Sequence, residues 1–176
     1  MDELLASLLA AAIHFSGLPP IEAGPPVQAM PYQEMLLDIC ADEKAEVPML
    51  LAQYRQCAER HQMMATVCDE LKSETQRYEQ CTQQSGLVAA YIIEQHRIVY
   101  RDDLNLDNDA DNSFLVHEYV HALQSRFFGD QLFESCQGVI AAEKQAYAAQ
   151  QKYLRSRGQL LRVGDRLRMV SCRDIL

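Results

Sequence analysis

Histidines at 117 and 121, with a glutamate at 118, stand in the run Leu115-Val116-His117-Glu118-Tyr119-Val120-His121-Ala122-Leu123-Gln124. On a helix, residues four apart share a face about one turn apart, so both imidazoles can aim a ring nitrogen at one metal ion. Glu118, next round the helix, falls beside the metal rather than on it. That is where a water-activating base has to stand, because a carboxylate cannot both ligate the ion and freely accept the water's proton. The chemistry this constellation suits is metal-assisted hydrolysis, with Zn2+ as the expected cofactor.

Such a motif needs a helix to hold it. Phe114, Val116, Val120, Leu123 and Phe127 form an apolar stripe, Asn112 or Ser113 offers an N-cap and Gly129 a C-cap, so a helix is predicted around the motif. A catalytic zinc takes three protein ligands, which requires one more. A metzincin would carry Gly three residues after the second histidine and a further His beyond it; Gln124 and Phe127 occupy those positions, which excludes that class. The downstream candidate is Glu143, in the Ala-rich run Val139 to Leu154 that Gly158 closes. Val139, Ala142, Ala146, Ala149 and Tyr153 make its apolar side, with Glu143, Tyr147, Gln150 and Leu154 on the adjacent stripe. Small residues there let the second helix approach the first closely.

His117 and His121 followed by Glu143 resemble the gluzincin arrangement of zinc metallopeptidases, two histidines from one helix and a glutamate from the next. More narrowly, Val-His-Glu-x-x-His-x-Leu-Gln, then a Cys, then Glu-x-x-Ala-Tyr-x-x-Gln, is similar to a family of small bacterial zincin-like proteins, over residues 87 to 154. The resemblance implies an α+β zincin-like domain: a small, mostly antiparallel sheet with the two site helices against it. It also implies zinc held by His117, His121 and Glu143, and an edge strand near the metal that binds an extended peptide by backbone pairing.

Length and composition bound the rest. A chain of 176 residues, 48% hydrophobic, is expected to form one domain with ample core. Its net charge of -9 disfavours nucleic acid or an anionic membrane as main partner, and no segment approaches transmembrane length. Six cysteines, none in a Cys-x-x-Cys pair, suggest disulfides and an oxidising compartment. The N-terminus lacks a basic stretch, with Asp2 and Glu3 directly after Met1. A mature periplasmic or secreted fragment reconciles the two; a cytoplasmic protein with reduced thiols is the alternative.

Asp2 to Phe15 reads as an amphipathic helix that should pack on the sheet, with His14 near its end as a surface residue. Gly17-Leu18-Pro19-Pro20 stops it, and the prolines of 25 to 31 leave room for a short edge strand. Residues 41 to 86 are expected to be a helical insertion, stapled by nested Cys57–Cys68 and Cys40–Cys81 bridges, with a solvated His61 near its turn. Leu87 to Ile93 and Arg97 to Tyr100 predict a hairpin around Glu94-Gln95-His96. The acidic residues between Asp102 and Asp111 invite a calcium reading, but an EF-hand begun at Asp107 would put Asn112 where Gly is needed and Glu118 at its last ligand position. A solvated loop whose carboxylates favour the following helix is the better expectation. Leu160 to Val163 and Leu167 to Val170 suggest a last hairpin, and Cys172 a bridge to Cys136.

The expected activity is hydrolysis of a peptide bond in a peptide or protein substrate, with Glu118 as general base. A donor to the developing oxyanion is also needed; Tyr147, one turn beyond Glu143, is the best candidate, with packing or support of the metal site as its alternative. Two other functions remain open: a zinc-binding interaction module without catalysis, and a hydrolase of another amide or ester.

Overall fold

The computed structural model describes residues 1–40, 81, 86–165, 167 and 172. The chain divides into two compact units, Met1–Ala29 with Val88–Leu176, and Met30–Leu87. Among the described residues of the second unit are α2 (Tyr32–Ile39) and a Cys40–Cys81 disulfide, as expected from the cysteine spacing. The predicted Cys57–Cys68 bridge, His61 and most of the helical insertion lie outside the described residues.

In the first unit, α1 (Asp2–Ser16) ends where Gly17, at φ 74°, donates its N–H to the Ile13 carbonyl. Its Leu8 and Ala12 are fully buried. They pack on the two site helices rather than on the sheet, which among the described residues has three short strands. β1 (Val27–Met30), β2 (Ala89–Ile92) and β3 (Arg97–Arg101) form a mixed sheet in the order β1-β3-β2 rather than a mostly antiparallel one. β1 is an edge strand, as its flanking prolines require. β2 and β3 pair antiparallel, with Ala89 opposite Tyr100 and Tyr91 opposite Ile98, around a turn in which His96 adopts φ 46°.

The site helices are α3 (Asp109–Phe128) and α4 (Cys136–Ser156), joined by a 3-10 turn, Asp130–Phe133. α3 starts earlier than expected. Asn108 caps it by accepting from Ala110 N–H, so Asp109 and Asp111 fall in the first turn, where the helix dipole favours them. Asn112 and Ser113, the expected caps, are buried inside the helix, donating to the Leu106 and Ala110 carbonyls. The acidic stretch is thus partly helix, and Asp103 pairs with Arg101 while Asp111 accepts from Asn105 N–H.

Ala142, Ala146 and Ala149 are buried on α4 and let it lie close against α3, around a core that includes Leu115, Val116, Val120 and Leu123. Tyr153 donates to Asp109 across the far end of the pair. Phe127 and Val139, read as parts of the buried stripes, are exposed because they flank the turn where the two helices separate. Cys136 and Cys172 are bridged, which ties the C-terminal segment to the start of α4. Closing a loop of this size is worth about 3 to 4 kcal/mol in chain entropy. Instead of the first strand of a hairpin, residues 159–164 form an irregular strap along α4. Gln151 holds it by donating to the Leu161 carbonyl and accepting from Val163 N–H. No helix among the described residues is long and apolar enough to cross a membrane.

Candidate metal centre

α3 brings His117 and His121 onto the face that meets α4, and α4 brings Glu143 to the same point. The Nε2 atoms of the two histidines are 3.0 Å apart. Glu143 Oε2 lies 3.3 Å from His117 Nε2, and Oε1 3.3 Å from His121 Nε2. Ligands about 2.0 to 2.2 Å from a tetrahedral ion stand roughly 3.3 to 3.6 Å from one another, so the two 3.3 Å edges to Glu143 match a ligand set and the 3.0 Å edge between the histidines is slightly short of it. Both histidines are buried and Glu143 is partly so.

The far sides of both rings fix their protonation. His121 Nδ1 is 2.9 Å from Gln124 Oε1, and His117 Nδ1 is 3.2 Å from Gln150 Oε1. Each amide can point only one way. Gln124 Nε2 donates to the Ala142 carbonyl, which cannot donate in return. Gln150 Nε2 donates to Ser113 Oγ, whose own proton goes to the Ala110 carbonyl. Both glutamines therefore present oxygen to the rings, Nδ1 carries the proton, and the neutral tautomer turns the Nε2 lone pair inward.

The lone pairs thus converge on one point, and the three residues form a group that could hold a metal ion. In its absence a proton takes that place. Burial disfavours charge on His121, but the hydrogen bond to Glu143 and the charges of Glu118 and Glu143 outweigh it and raise the imidazole's pKa. Burial also works against an ionised Glu143, yet hydrogen bonds and charge from the two histidines hold its carboxyl far below the usual range. A divalent ion fits the same position and the same lone pairs.

Glu118 is buried beside this group and outside it. Its Oε2 accepts from the Tyr91 N–H at 2.8 Å. Tyr91 sits on β2 at a position whose N–H points away from β3: Arg101 N–H pairs with the Val88 carbonyl, so positions 90 and 92 bond inward and 89 and 91 outward. The edge of β2 turned away from β3 therefore faces the candidate base. The Tyr91 phenol continues along α3, donating to Ser125 Oγ and meeting His96 Nδ1 at 2.8 Å.

The Tyr147 ring stands edge-on to His117, with centroids 4.5 Å apart. Burial, with the charges of Glu143 and Glu118, raises the pKa of its phenol, which therefore stays a donor at neutral pH. Gly164 of the strap lies against the other side of Tyr147: a Cβ there would come 2.7 Å from Cγ of the ring. Phe133 packs its edge on His121, centroids 5.9 Å apart.

The structure brings together His117, His121 and Glu143, with Glu118 and Tyr147 adjoining. His14 is exposed at the end of α1, and His96 belongs to the Tyr91 network. Sequence reasoning gave no role to Gln124, Gln150 or Phe133. The two glutamines had one available signal: each falls on the helix face of a ligand, three residues after His121 and seven after Glu143. Compared with family models, curated proteins and solved structures, the chain matches none of them.

Proposed function

We propose that the protein is a zinc-dependent hydrolase of the gluzincin type, acting on peptide bonds. The observation that carries this reading is the division of the carboxylates: Glu143 closes the ligand triangle, while Glu118 stays outside it, held by the outward-pointing N–H of Tyr91 on β2. A metal held only for structure has no use for a buried carboxylate beside it and closes its own fourth position.

His117, His121 and Glu143 would hold the ion, and Gln124 and Gln150 would keep the two rings in the ligating tautomer. The donor set of two imidazoles and a carboxylate suits zinc. Bound there, zinc supplies a Lewis acid that acidifies water and polarises a carbonyl. Glu118 takes the proton of the attacking water and returns it to the leaving amine. Tyr147 donates its hydroxyl proton in a hydrogen bond to the oxyanion, which its raised pKa permits. An extended substrate lies along the outer edge of β2, where the Tyr91 carbonyl points away from β3 and can accept a hydrogen bond while the Tyr91 N–H holds Glu118.

The testing experiment is digestion of a mixed peptide library by zinc-loaded protein, read by mass spectrometry, with Glu118→Gln as control. The reading expects cleavage by wild type and a loss on the order of a hundred- to ten-thousandfold in the variant. Equal cleavage by both, or none by wild type, would contradict it.

A further inference from the structure

The chain is acidic, with 25 Asp and Glu against 16 Lys and Arg, yet one groove beside the metal centre has the opposite sign. Its volume is about 290 Å³, and its walls are the solvent face of α4 and the strap of residues 161–165. Three cations line it, Lys144, Arg155 and Arg162, against one carboxylate, Asp165. None of the three makes an ion pair with a carboxylate among the described residues, and all are exposed. Tyr147 is common to this groove and to the metal centre, because its ring also touches His117.

We propose that this groove binds an acidic peptide segment and leads it past Tyr147 to the metal. The proposal deepens the hydrolase reading, naming the class of its substrate. Lys144 and Arg155 are eleven positions apart on α4, about 16 Å along the axis at a rise of 1.5 Å per residue. A single small anion cannot bridge that span. An extended peptide can, since its alternate side chains recur roughly every 6.6 Å on one face, so carboxylates at every second residue meet the cations in turn. The backbone at Arg162 is held beside Gln151, which lies between Lys144 and Arg155 on α4: the two Gln151 hydrogen bonds hold the residues on either side of Arg162, and Gly164 seats the strap on Tyr147. Surface charges pairing at this range are weak singly and screened by salt, so recognition needs all three.

The test is calorimetric binding to zinc-loaded wild type of three probes: an alternating Glu-Gly hexapeptide, its Lys-Gly counterpart and a thymidylate hexamer. Peptide integrity is checked by mass. The expected result is binding of the Glu peptide alone, weakening severalfold between 50 and 300 mM salt. Lys144→Glu with Arg162→Glu should lower that affinity at least tenfold and admit the Lys peptide, at unchanged melting temperature because both side chains are exposed. If that pair fails to fold, Lys144→Gln with Arg162→Gln is read for the loss alone. Equal binding of both peptides, binding of neither, or binding of the oligonucleotide as tightly as the Glu peptide would overturn the proposal. Binding is read only from peptide shown by mass to be intact, so it stands or falls apart from hydrolysis. Cleavage without preference for acidic sequences would remove the substrate assignment and leave the metal reading intact.

Discussion

The Glu118 carboxylate accepts a hydrogen bond from the main-chain N–H of Tyr91, at 2.8 Å across a sequence separation of 27. This bond joins the helix that carries His117 and His121 to the outer edge of β2 and gives the candidate base a fixed position. It also separates fold from chemistry at residue 118. Glu118→Gln keeps an acceptor oxygen for Tyr91 and should melt within a few degrees of wild type. Glu118→Leu leaves the N–H unpaired and should cost about 1 to 3 kcal/mol, measured by denaturant unfolding.

Gln124 and Gln150 would act on a bound metal only through the imidazoles they orient. Gln124→Ala or Gln150→Ala should weaken zinc binding on the order of ten- to a hundredfold, read by competition with a chelator of known affinity. Gln124→Glu should be milder at His121, since a carboxylate still accepts from Nδ1, though it can no longer donate to the Ala142 carbonyl. Unaltered affinity in both alanine variants would show that packing alone orients the rings.

Metal-free protein should show a stability window. The Glu143 pKa is lowered from 4.5, so its contribution is complete above pH 4.5 and is lost as pH falls through the folded value. The His121 pKa is raised from 6.5, so its contribution is complete below pH 6.5 and is lost as pH rises through the folded value. Thermal unfolding without metal should therefore be most favourable to the fold between pH 4.5 and 6.5. Added zinc should shift the optimum to higher pH, because the ion replaces the His121 proton.

Much of this site was legible in the chain. His117 and His121 declare themselves by their spacing, and Glu143 by its place on the next amphipathic run. The Cys40–Cys81 and Cys136–Cys172 bridges were among the pairings that the sequence allowed. Other features leave no trace in residue type. The Tyr91 N–H that holds Glu118 is a backbone group, which every residue but proline possesses. Asn108 became the cap instead of Asn112 because the side chain of Asn112 is drawn inward by the Leu106 carbonyl, a tertiary contact. The strap of 159–164 has the apolar residues of a strand, yet the Leu161 carbonyl and the Val163 N–H bond to the side chain of Gln151; most of the expected second strand lies outside the described residues.

Tyr147 should divide turnover from metal uptake. Tyr147→Phe keeps the ring against His117 and Gly164 and removes only the hydroxyl, so zinc content and melting temperature should hold while the rate falls on the order of a hundredfold. A rate equal to wild type would assign Tyr147 to packing.

Zinc content, measured by atomic emission in wild type, Glu143→Ala and Glu118→Gln after equal loading and dialysis, tests the division of ligand from base most directly. One equivalent is expected in wild type and in Glu118→Gln, and a large loss in Glu143→Ala, which retains two ligands of three. Full zinc in Glu143→Ala with loss in Glu118→Gln would invert the assigned roles, and wild type without zinc would contradict the account as a whole.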